Sequence, residues 1–424
     1  MTIPEIYKIY QQYPSIQTDT RKLKNGDIFF TLKGPNFNGN LFAKQALDAG
    51  AAYVIADEPL SFSSEAVIQV DDALKTLQDL AKHHRDQFKI PFIGITGSNG
   101  KTTTKELIHQ VLSSQFKTYT TTGNLNNHIG VPLTILKIKS DAEIAVIEMG
   151  ANHLHEIAGY CEYAQPTHGI ITNVGKAHLE GFGSLENVKK GKGELFDFIN
   201  QHDGIAFVNT DDPAVFDLAT ELKNTVNYGS KSEQYSGTIV KNDPFIEVEI
   251  KGLSLKISTQ LVGSYNLSNI LVAACVGKYF KVTDDKIKRA IENYSPSNSR
   301  SQLIHRDSNT IILDAYNANP GSMQAAIENF ALMSGDKKVL LLGEMKEMGN
   351  ESKKEHQHLV SIIDKYKWDE VVLVGKNFTE TNHHYIWFEN AEQAKDWLAN
   401  KNLQNAHILI KGSRGIQMEK VLED

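Results

Sequence analysis

The run PFIGITGSNGKTTTK, residues 91–105, sets Gly97, Ser98, Asn99, Gly100, Lys101, Thr102 and Thr103 side by side. Those residue types in that order can cradle a triphosphate. Gly97 and Gly100 lack Cβ atoms, so the backbone can curl tightly and aim successive N–H groups at phosphate oxygens, assisted by the positive end of a following helix. Lys101 supplies a mobile positive charge for β- and γ-phosphates, and Thr102 supplies a hydroxyl for Mg²⁺. The usual P-loop spacing asks for a glycine where Ile95 stands, with Gly94 one position too early. What fits is the compact form TGSNGKT; a glycine turn that merely ends in Lys-Thr is the plain alternative. Such a loop needs a strand before it and a helix after it. The apolar FIGIT and the helix-compatible KELIHQVL meet both needs.

Two further residues fall at the carboxyl ends of expected strands, where open α/β sheets gather their ligands. Glu148 closes EIAVIEM (143–149), a position from which a carboxylate can hold Mg²⁺ or simply face solvent. His178 follows the next strand in ITNVGKAHLEGFGS (171–184), as a ligand or as an ordinary surface or packing residue. Lys192, in VKKGKGELF (188–196), reads on local grounds as a solvated helix charge.

The elements that must position these groups divide into three units, since 424 residues exceed one ordinary core. Residues 1–87 carry short strands in DIFFTL (27–32) and AAYVIAD (51–57), a helix in NLFAKQALDAG ending at Gly50, and the amphipathic helix DDALKTLQDLAKHHRDQF. Residues 88–299 alternate strand and helix through FIGIT, EIAVIEM, HGIITNV (168–174) and GIAFVN (204–209), the pattern of a mostly parallel, covered sheet. Within that unit TIVKNDPFIEVEIKGLSLKIST (238–259) alternates in period two, as antiparallel hairpins do, and NYSPSNSRSQ (293–302) reads as a linker. Residues 300–424 repeat the doubly wound pattern with TIILDAY, KVLLLGEM, EVVLVG and HILIKGS. The expected fold is α/β in three domains: a small N-terminal α/β unit, a central P-loop-type sheet and a C-terminal Rossmann-like unit.

Composition narrows the partners. A net charge of -7 without a long Lys/Arg block argues against nucleic acid. MTIPEIYKIYQQYPSI lacks the pattern of a secretory leader, and no apolar run approaches the ~18 residues of a membrane span. The expectation is a cytoplasmic protein without membrane insertion, and a monomer. Cys161 and Cys275 are too few for a disulfide framework and read as buried small hydrophobes.

Together the motifs resemble the Mur ligases, ATP-dependent enzymes that extend the peptide of the peptidoglycan precursor. The likeness spans essentially the whole chain. It rests on TGSNGKTTTKE (96–106), EMGANH (148–153), NVGKAHLEGFGS (173–184), KGKGELF (190–196) and GSYNLSNILVAA (263–274), in order and spacing. The resemblance implies a UDP-substrate-binding first unit and an ATP-binding central unit. It further implies that Thr102 and Glu148 hold one Mg²⁺, that His178 helps hold a second, and that Lys192 carries a CO₂-derived carbamate. The modified position precedes Gly-Glu-apolar in the family, which prefers Lys192 to Lys189 or Lys190. Asn266 resembles an adenine-contacting Asn, with a helix N-cap as its other reading. Arg300 resembles an Arg brought near the phosphates, or is a plain surface Arg.

The third unit points to one branch of the family. DAYNANPGSM (314–323), LLGEMKEMG (341–349) and LIKGSRGIQME (409–419) resemble the branch that adds D-alanyl-D-alanine. There Asp314 and Asn317 would face nucleotide or dipeptide, while a local Asx-turn is the other reading of Asn317. The branch that adds the third residue carries an Asp-Asn-Pro-Arg motif, which is absent here, and stands as the runner-up. In the first unit Thr18, Asp19, Thr20 and Arg21 resemble the family's uridine-nucleotide segment, although TDTR alone is an unremarkable turn or cap. Asn38, Gly39 and Asn40 depart from the family's common Asp-Gly-His. Asn126 and Asn127 match residues near the substrate.

The implied activity is ATP-dependent ligation of D-alanyl-D-alanine to UDP-N-acetylmuramoyl-tripeptide through an acyl phosphate, with ATP, two Mg²⁺ ions and the Lys192 carbamate. Folylpolyglutamate synthetase shares the loop but lacks so long a unit before it. A P-loop ATPase that hydrolyses without ligating would need neither that unit nor a carbamylation site.

Overall fold

Alternate residues of the strand Phe92–Thr96 feed opposite cores, as the two-residue period of a covered strand requires. Ile93 and Ile95 belong to one core with Leu107, Ile108 and Val111 of the helix Lys101–Ser113 and Leu271 of the helix Leu267–Tyr279. Phe92 belongs to the other, with Leu195 and Ile199 of the helix Leu185–Gln201. The strand Ile144–Glu148 divides the same way: Ile144 and Val146 to the first core, Ala145 and Ile147 to the second. Each fully buried Ile or Val contributes ~1.5–3 kcal/mol, so a one-residue slip of either strand is strongly disfavoured.

The computed structural model describes residues 1–251, 255–297 and 299–423. Its central sheet has nine strands in the order Leu255–Val262, Phe245–Lys251, Tyr235–Asn242, Thr225–Gly229, Ile205–Asn209, His168–Ile171, Phe92–Thr96, Ile144–Glu148, Thr118–Thr120. Six of the pairings are parallel, and the first three strands form an antiparallel meander. After Phe92–Thr96 the chain runs to the edge at Thr118–Thr120, returns through Ile144–Glu148, and crosses to His168–Ile171 on the other side. The loop at residues 97–100 therefore opens at a topological switch point, where such sheets bind ligands.

A four-stranded parallel sheet, Ile16–Gln17, Ile28–Phe30, Tyr53–Ala56 and Val67–Gln69, forms the first unit. Its closing helix Ala73–Arg85 is capped by the Asp72 side chain, which accepts from the Lys75 N–H at 2.8 Å. The third unit is a six-stranded sheet ordered Gln302–Arg306, Asn309–Asp314, His407–Lys411, Lys338–Gly343, Glu370–Val374, Ile386–Phe388, parallel except for its first strand.

The period-two stretch expected as antiparallel hairpins is three antiparallel strands, beginning at Tyr235 rather than Thr238. Its Gly252, Leu253 and Ser254, Asn298 of the expected linker, and Asp424 lie outside the described residues. Among the described residues no helix is long and apolar enough to cross a membrane. Cys161 and Cys275 are both free and buried.

Candidate active site

Gly97 and Gly100 make the loop possible. Gly97 has φ +141, and a Cβ there would meet Thr172 Oγ1 at 2.0 Å; Gly100 has φ +77, and a Cβ would meet Asn269 Oδ1 at 2.7 Å. Left-handed Gly100 is the N-cap of the helix Lys101–Ser113, so the helix begins at the lysine itself. The loop is held from behind by the next strand end. Ser98 Oγ donates to Gly175 O at 3.0 Å, the Asn99 N–H donates to Asn173 Oδ1 at 2.9 Å, and Thr172 Oγ1 and Asn173 Nδ2 both donate to Asn99 O. Lys101 folds over this cradle, with Nζ donating to Gly97 O at 2.6 Å. Burial lowers the Lys101 pKa from the usual lysine value; the nearby Glu148 carboxylate opposes that and Arg300 adds to it.

Glu148 sits at the end of the neighbouring strand, 1% exposed. Its Oε1 accepts from Thr102 Oγ1 at 3.2 Å and from Asn126 Nδ2 at 2.8 Å. Its Oε2 is buried without a hydrogen-bond partner, which a native fold rarely leaves unanswered. A hard cation beside the Thr102 hydroxyl would satisfy it, so these residues fit Mg²⁺. Among the described residues there is no ready-made cluster of three or more His, Cys, Asp or Glu side chains for a metal. A second ion would need a further oxygen donor.

Lys192 is completely buried in the helix Leu185–Gln201, whereas Lys190 is exposed and Lys189 pairs with Asp217. The local reading of Lys192 as a solvated charge is thereby corrected. Its Nζ donates to Ala151 O at 3.0 Å, three residues past Glu148, and lies 5.2 Å from the Phe182 ring centre. No described carboxylate comes within ion-pair distance. Burial first, and then the Lys101 charge, push its pKa well below the lysine value.

The loop and Glu148 open into a cleft of about 570 Å³ closed on its far side by the third unit. Ser98, Asn99, Gly100, Lys101, Thr102 and Thr103 line it, together with Asn126, Asn127 and Glu148. His178 and Asn266 also reach it, as do Arg300, Asp314 and Asn317. His178 begins a short helical turn at Leu179–Phe182 with φ +54, and its Nδ1 bonds Glu347 Oε2 of the third unit. That contact holds the Glu347 carboxyl below the usual carboxylate range. Arg300 stacks on Tyr316, guanidinium carbon to ring centre 3.6 Å, rather than standing free on the surface.

Asn266 occupies an N-cap position but its side chain makes no capping bond. It donates to Val262 O at 2.9 Å and accepts from Asn269 Nδ2 at 2.8 Å. Asn317 Oδ1 accepts from the N–H of the next residue, Ala318, at 2.9 Å, a local bond that is not the Asx-turn expected as its other reading, which would reach two residues on. Asn127 Oδ1 accepts from the Ile129 and Gly130 N–H groups at the start of the helix Gly130–Ile135. Asp314 Oδ2 is 2.5 Å from the buried Lys411 Nζ, and that lysine also donates to Asn317 O.

Thr18, Asp19, Thr20 and Arg21 do not line the cleft. Asp19 caps the short 3₁₀ turn Thr20–Lys22 and pairs with its own Arg21, whose hydrogen bond holds the Asp19 pKa at about 2. Asn40, where the family commonly has His, is a buried hub that accepts from Thr31 Oγ1 and donates to Asn38 and Asp57.

Sequence reasoning missed four partners. Asn319 caps the helix Pro320–Leu332 and donates from Nδ2 to Asn99 Oδ1 at 2.7 Å, tying the third unit to the loop. Its signal was present, an Asn before Pro at a helix start. Asn173, Lys411 and Glu347 gave no local signal, because their partners are remote in sequence.

A model described as Mur ligase family, catalytic domain, matches residues 12–85; one for the Mur ligase middle domain matches 95–277; one for a Mur ligase, glutamate ligase domain, matches 299–414. The UDP-N-acetylmuramoyl-tripeptide–D-alanyl-D-alanine ligase of Bacillus subtilis is 34% identical over 422 residues, covering 96% of this chain and 92% of its own. The Escherichia coli protein of the same name is 34% identical over 434 residues with the same coverage. A crystal structure of MurF from Acinetobacter baumannii superposes with TM-score 0.88 at 28% identity, covering 98% of this chain and 97% of its own. MurF from Thermotoga maritima in complex with ADP gives 0.86 at 28%, covering 96% of each. A Mycobacterium tuberculosis folylpolyglutamate synthase shares the fold, at 15% identity and TM-score 0.65.

With these matches and relatives named as ligases, the cleft between the glycine loop and the third unit belongs to an ATP-dependent ligase. The chain belongs to the Mur ligase family.

Proposed function

We propose that the chain joins D-alanyl-D-alanine to UDP-N-acetylmuramoyl-tripeptide at the expense of ATP, giving the UDP-linked pentapeptide for peptidoglycan synthesis in the cytoplasm. The observation that carries this reading is the convergence in one cleft of the phosphate loop, Glu148 and the Asp314, Tyr316 and Asn317 segment of the third unit. Likeness along 96% of the chain to ligases of that name supports it.

A carboxylate and an amine do not condense at a useful rate, because oxide is a hopeless leaving group. The tripeptide carboxylate attacks the γ-phosphate, giving an acyl phosphate and ADP; the dipeptide amine then attacks the acyl carbon, and phosphate departs from the tetrahedral intermediate. Loop N–H groups, Lys101 and Arg300 offset the charge on the phosphoryl group, where positioning and electrostatics supply nearly all the catalysis. Asn266 is assigned to the adenine, Asp314 and Asn317 to nucleotide or dipeptide, Asn126 and Asn127 to the substrate, and Thr18 to Arg21 to the uridine end. Thr102 and Glu148 would hold Mg²⁺, which would supply Lewis-acid stabilisation of the transferring phosphoryl group.

Lys192 is assigned as a carbamate: its neutral amine adds CO₂ and loses one proton, turning a buried neutral group into an anion with two oxygen donors. The reading is supported by its sealed position, its lack of a described carboxylate partner and its reach to Ala151 O, near Glu148. With His178 it would supply the donors a second Mg²⁺ requires.

Phosphate release measured with ATP, UDP-N-acetylmuramoyl-tripeptide and D-alanyl-D-alanine tests the function. Release should require both peptide substrates. Release that ignores either one, or that prefers UDP-N-acetylmuramoyl-dipeptide with a diamino acid, contradicts it.

A further inference from the structure

Glu347 enters the central unit from outside it, and both its backbone and its side chain grip the same short turn. It lies just beyond the carboxyl end of the strand Lys338–Gly343, on a loop pinned at successive residues. The Glu344 N–H donates to Val374 O at 2.8 Å, the Met345 N–H to His356 Nε2 at 3.0 Å, and the Lys346 N–H to Ser413 Oγ at 2.8 Å. Buried His356 can accept from Met345 because its other nitrogen is committed to Ser352 O at 2.7 Å. From this fixed base Glu347 adopts φ +62, a left-handed conformation that costs a residue with a long side chain ~1 kcal/mol or more. Its carbonyl accepts the Glu180 N–H at 3.1 Å, and its carboxylate accepts from His178 Nδ1. His178 is itself left-handed, so two strained residues face each other across the boundary between units.

A carboxylate on Nδ1 decides which imidazole nitrogen is left. With Nδ1–H committed to Glu347, the lone pair of the neutral ring resides on Nε2, and the ring plane is fixed. His178 lines the cleft, whereas the Glu347 side chain stands at its rim, about half exposed. We propose that Glu347 is a positioning residue for the ligation: carried in by the third unit, it sets the tautomer and orientation of His178 so that Nε2 serves the reaction site. The site is then completed only when the third unit is docked. This rests on His178 acting in the cleft, as assigned above.

The test uses the full-length enzyme and the variants Glu347→Ala, Glu347→Asp, His178→Ala and the double variant. It adds Lys176→Met, which breaks the neighbouring inter-unit ion pair with Glu355 at 2.6 Å. Glu347→Ala should lower kcat about 10- to 100-fold and raise the Mg²⁺ concentration for half-activation, with KM for ATP within about twofold. Glu347→Asp should recover part of the loss. The double variant should be no worse than His178→Ala alone, as expected for residues acting through one another. A readout independent of turnover is the ¹⁵N spectrum of histidine-labelled protein. The His178 ring, assigned by its loss in His178→Ala, should show the Nδ1–H tautomer and become a mixture in Glu347→Ala. Lys176→Met should change neither turnover nor spectrum.

A Glu347→Ala enzyme with unaltered kcat and an unaltered His178 spectrum overturns the proposal, as does an equal loss from Lys176→Met, which would reduce Glu347 to a docking contact. Full activity in His178→Ala would instead remove the underlying assignment of His178.

Discussion

Lys192 and Lys411 are both sealed from solvent, at 0% and 2% exposure, yet their surroundings are opposite. Lys411, from the third unit, meets the Asp314 carboxylate at 2.5 Å and the Asn317 carbonyl at 3.3 Å. Lys192, from the central unit, has one carbonyl and an aromatic ring. The first is a cation balanced within the fold, shaping the segment Asp314 to Asn317 that faces the loop. The second is burial without a balancing charge, which favours the neutral amine, and a neutral amine is the form that takes up CO₂. Equal burial therefore comes with unequal surroundings: an ion pair inside the fold for Lys411, and for Lys192 the uncompensated site on which the proposed carbamate rests.

The largest effect should come from Lys192→Met. Turnover should fall about 10²- to 10³-fold, the scale for losing one group that stabilises transition-state charge, while urea unfolding shows stability within about 1 kcal/mol of the parent. A variant that unfolds easily yet retains turnover would make Lys192 a structural cation and erase the contrast. Lys411→Met should behave in reverse. It leaves Asp314 unpaired, so stability should drop by about 3 kcal/mol, and adding Asp314→Asn should recover most of it. No recovery would mean that the pair is not what holds Lys411.

A third buried base sharpens the rule. His168 packs among Phe207, Tyr279 and Phe280, with Nδ1 2.9 Å from Thr167 Oγ1, and burial alone lowers its pKa to about 4. Its folded pKa lies below the unfolded value of about 6.5, so the unfolded chain binds more protons between those limits. Stability from this group is intact above pH 6.5 and is lost as pH falls toward 4. Between pH 7 and pH 5 the loss should be about 2 kcal/mol, and His168→Phe should remove that share of the slope in urea titrations. An unchanged slope would show that burial without a charge partner does not keep a base neutral here.

What the sequence made legible was local. The loop could be read because strand, glycines, lysine and helix are contiguous, and the helix does start at Lys101. The long parallel strands were legible from their apolar runs; two- and three-residue strands such as Ile16–Gln17 and Thr118–Thr120 are too short to show a period. Lys192 shows the opposite case: only the family resemblance, through the Gly193-Glu194-Leu195 that follows it, set it apart from Lys189 and Lys190, and its local pattern reads as a solvated charge. Only tertiary packing seals one of the three. Glu347 was likewise hidden, and Asn319 was legible only as a helix cap, because each acts on a residue more than a hundred positions away. TDTR shows a motif whose visible contacts are its own: Asp19 is satisfied by Arg21 two residues on.

The central claim is that ATP activates a carboxylate instead of being merely hydrolysed. UDP-N-acetylmuramoyl-tripeptide labelled with ¹⁸O in its terminal carboxylate, incubated with ATP and D-alanyl-D-alanine, tests it through the mass of the released phosphate. Attack of the carboxylate on the γ-phosphate predicts one ¹⁸O atom in each phosphate and one amide product per ADP. ADP accompanied by unlabelled phosphate would contradict the account.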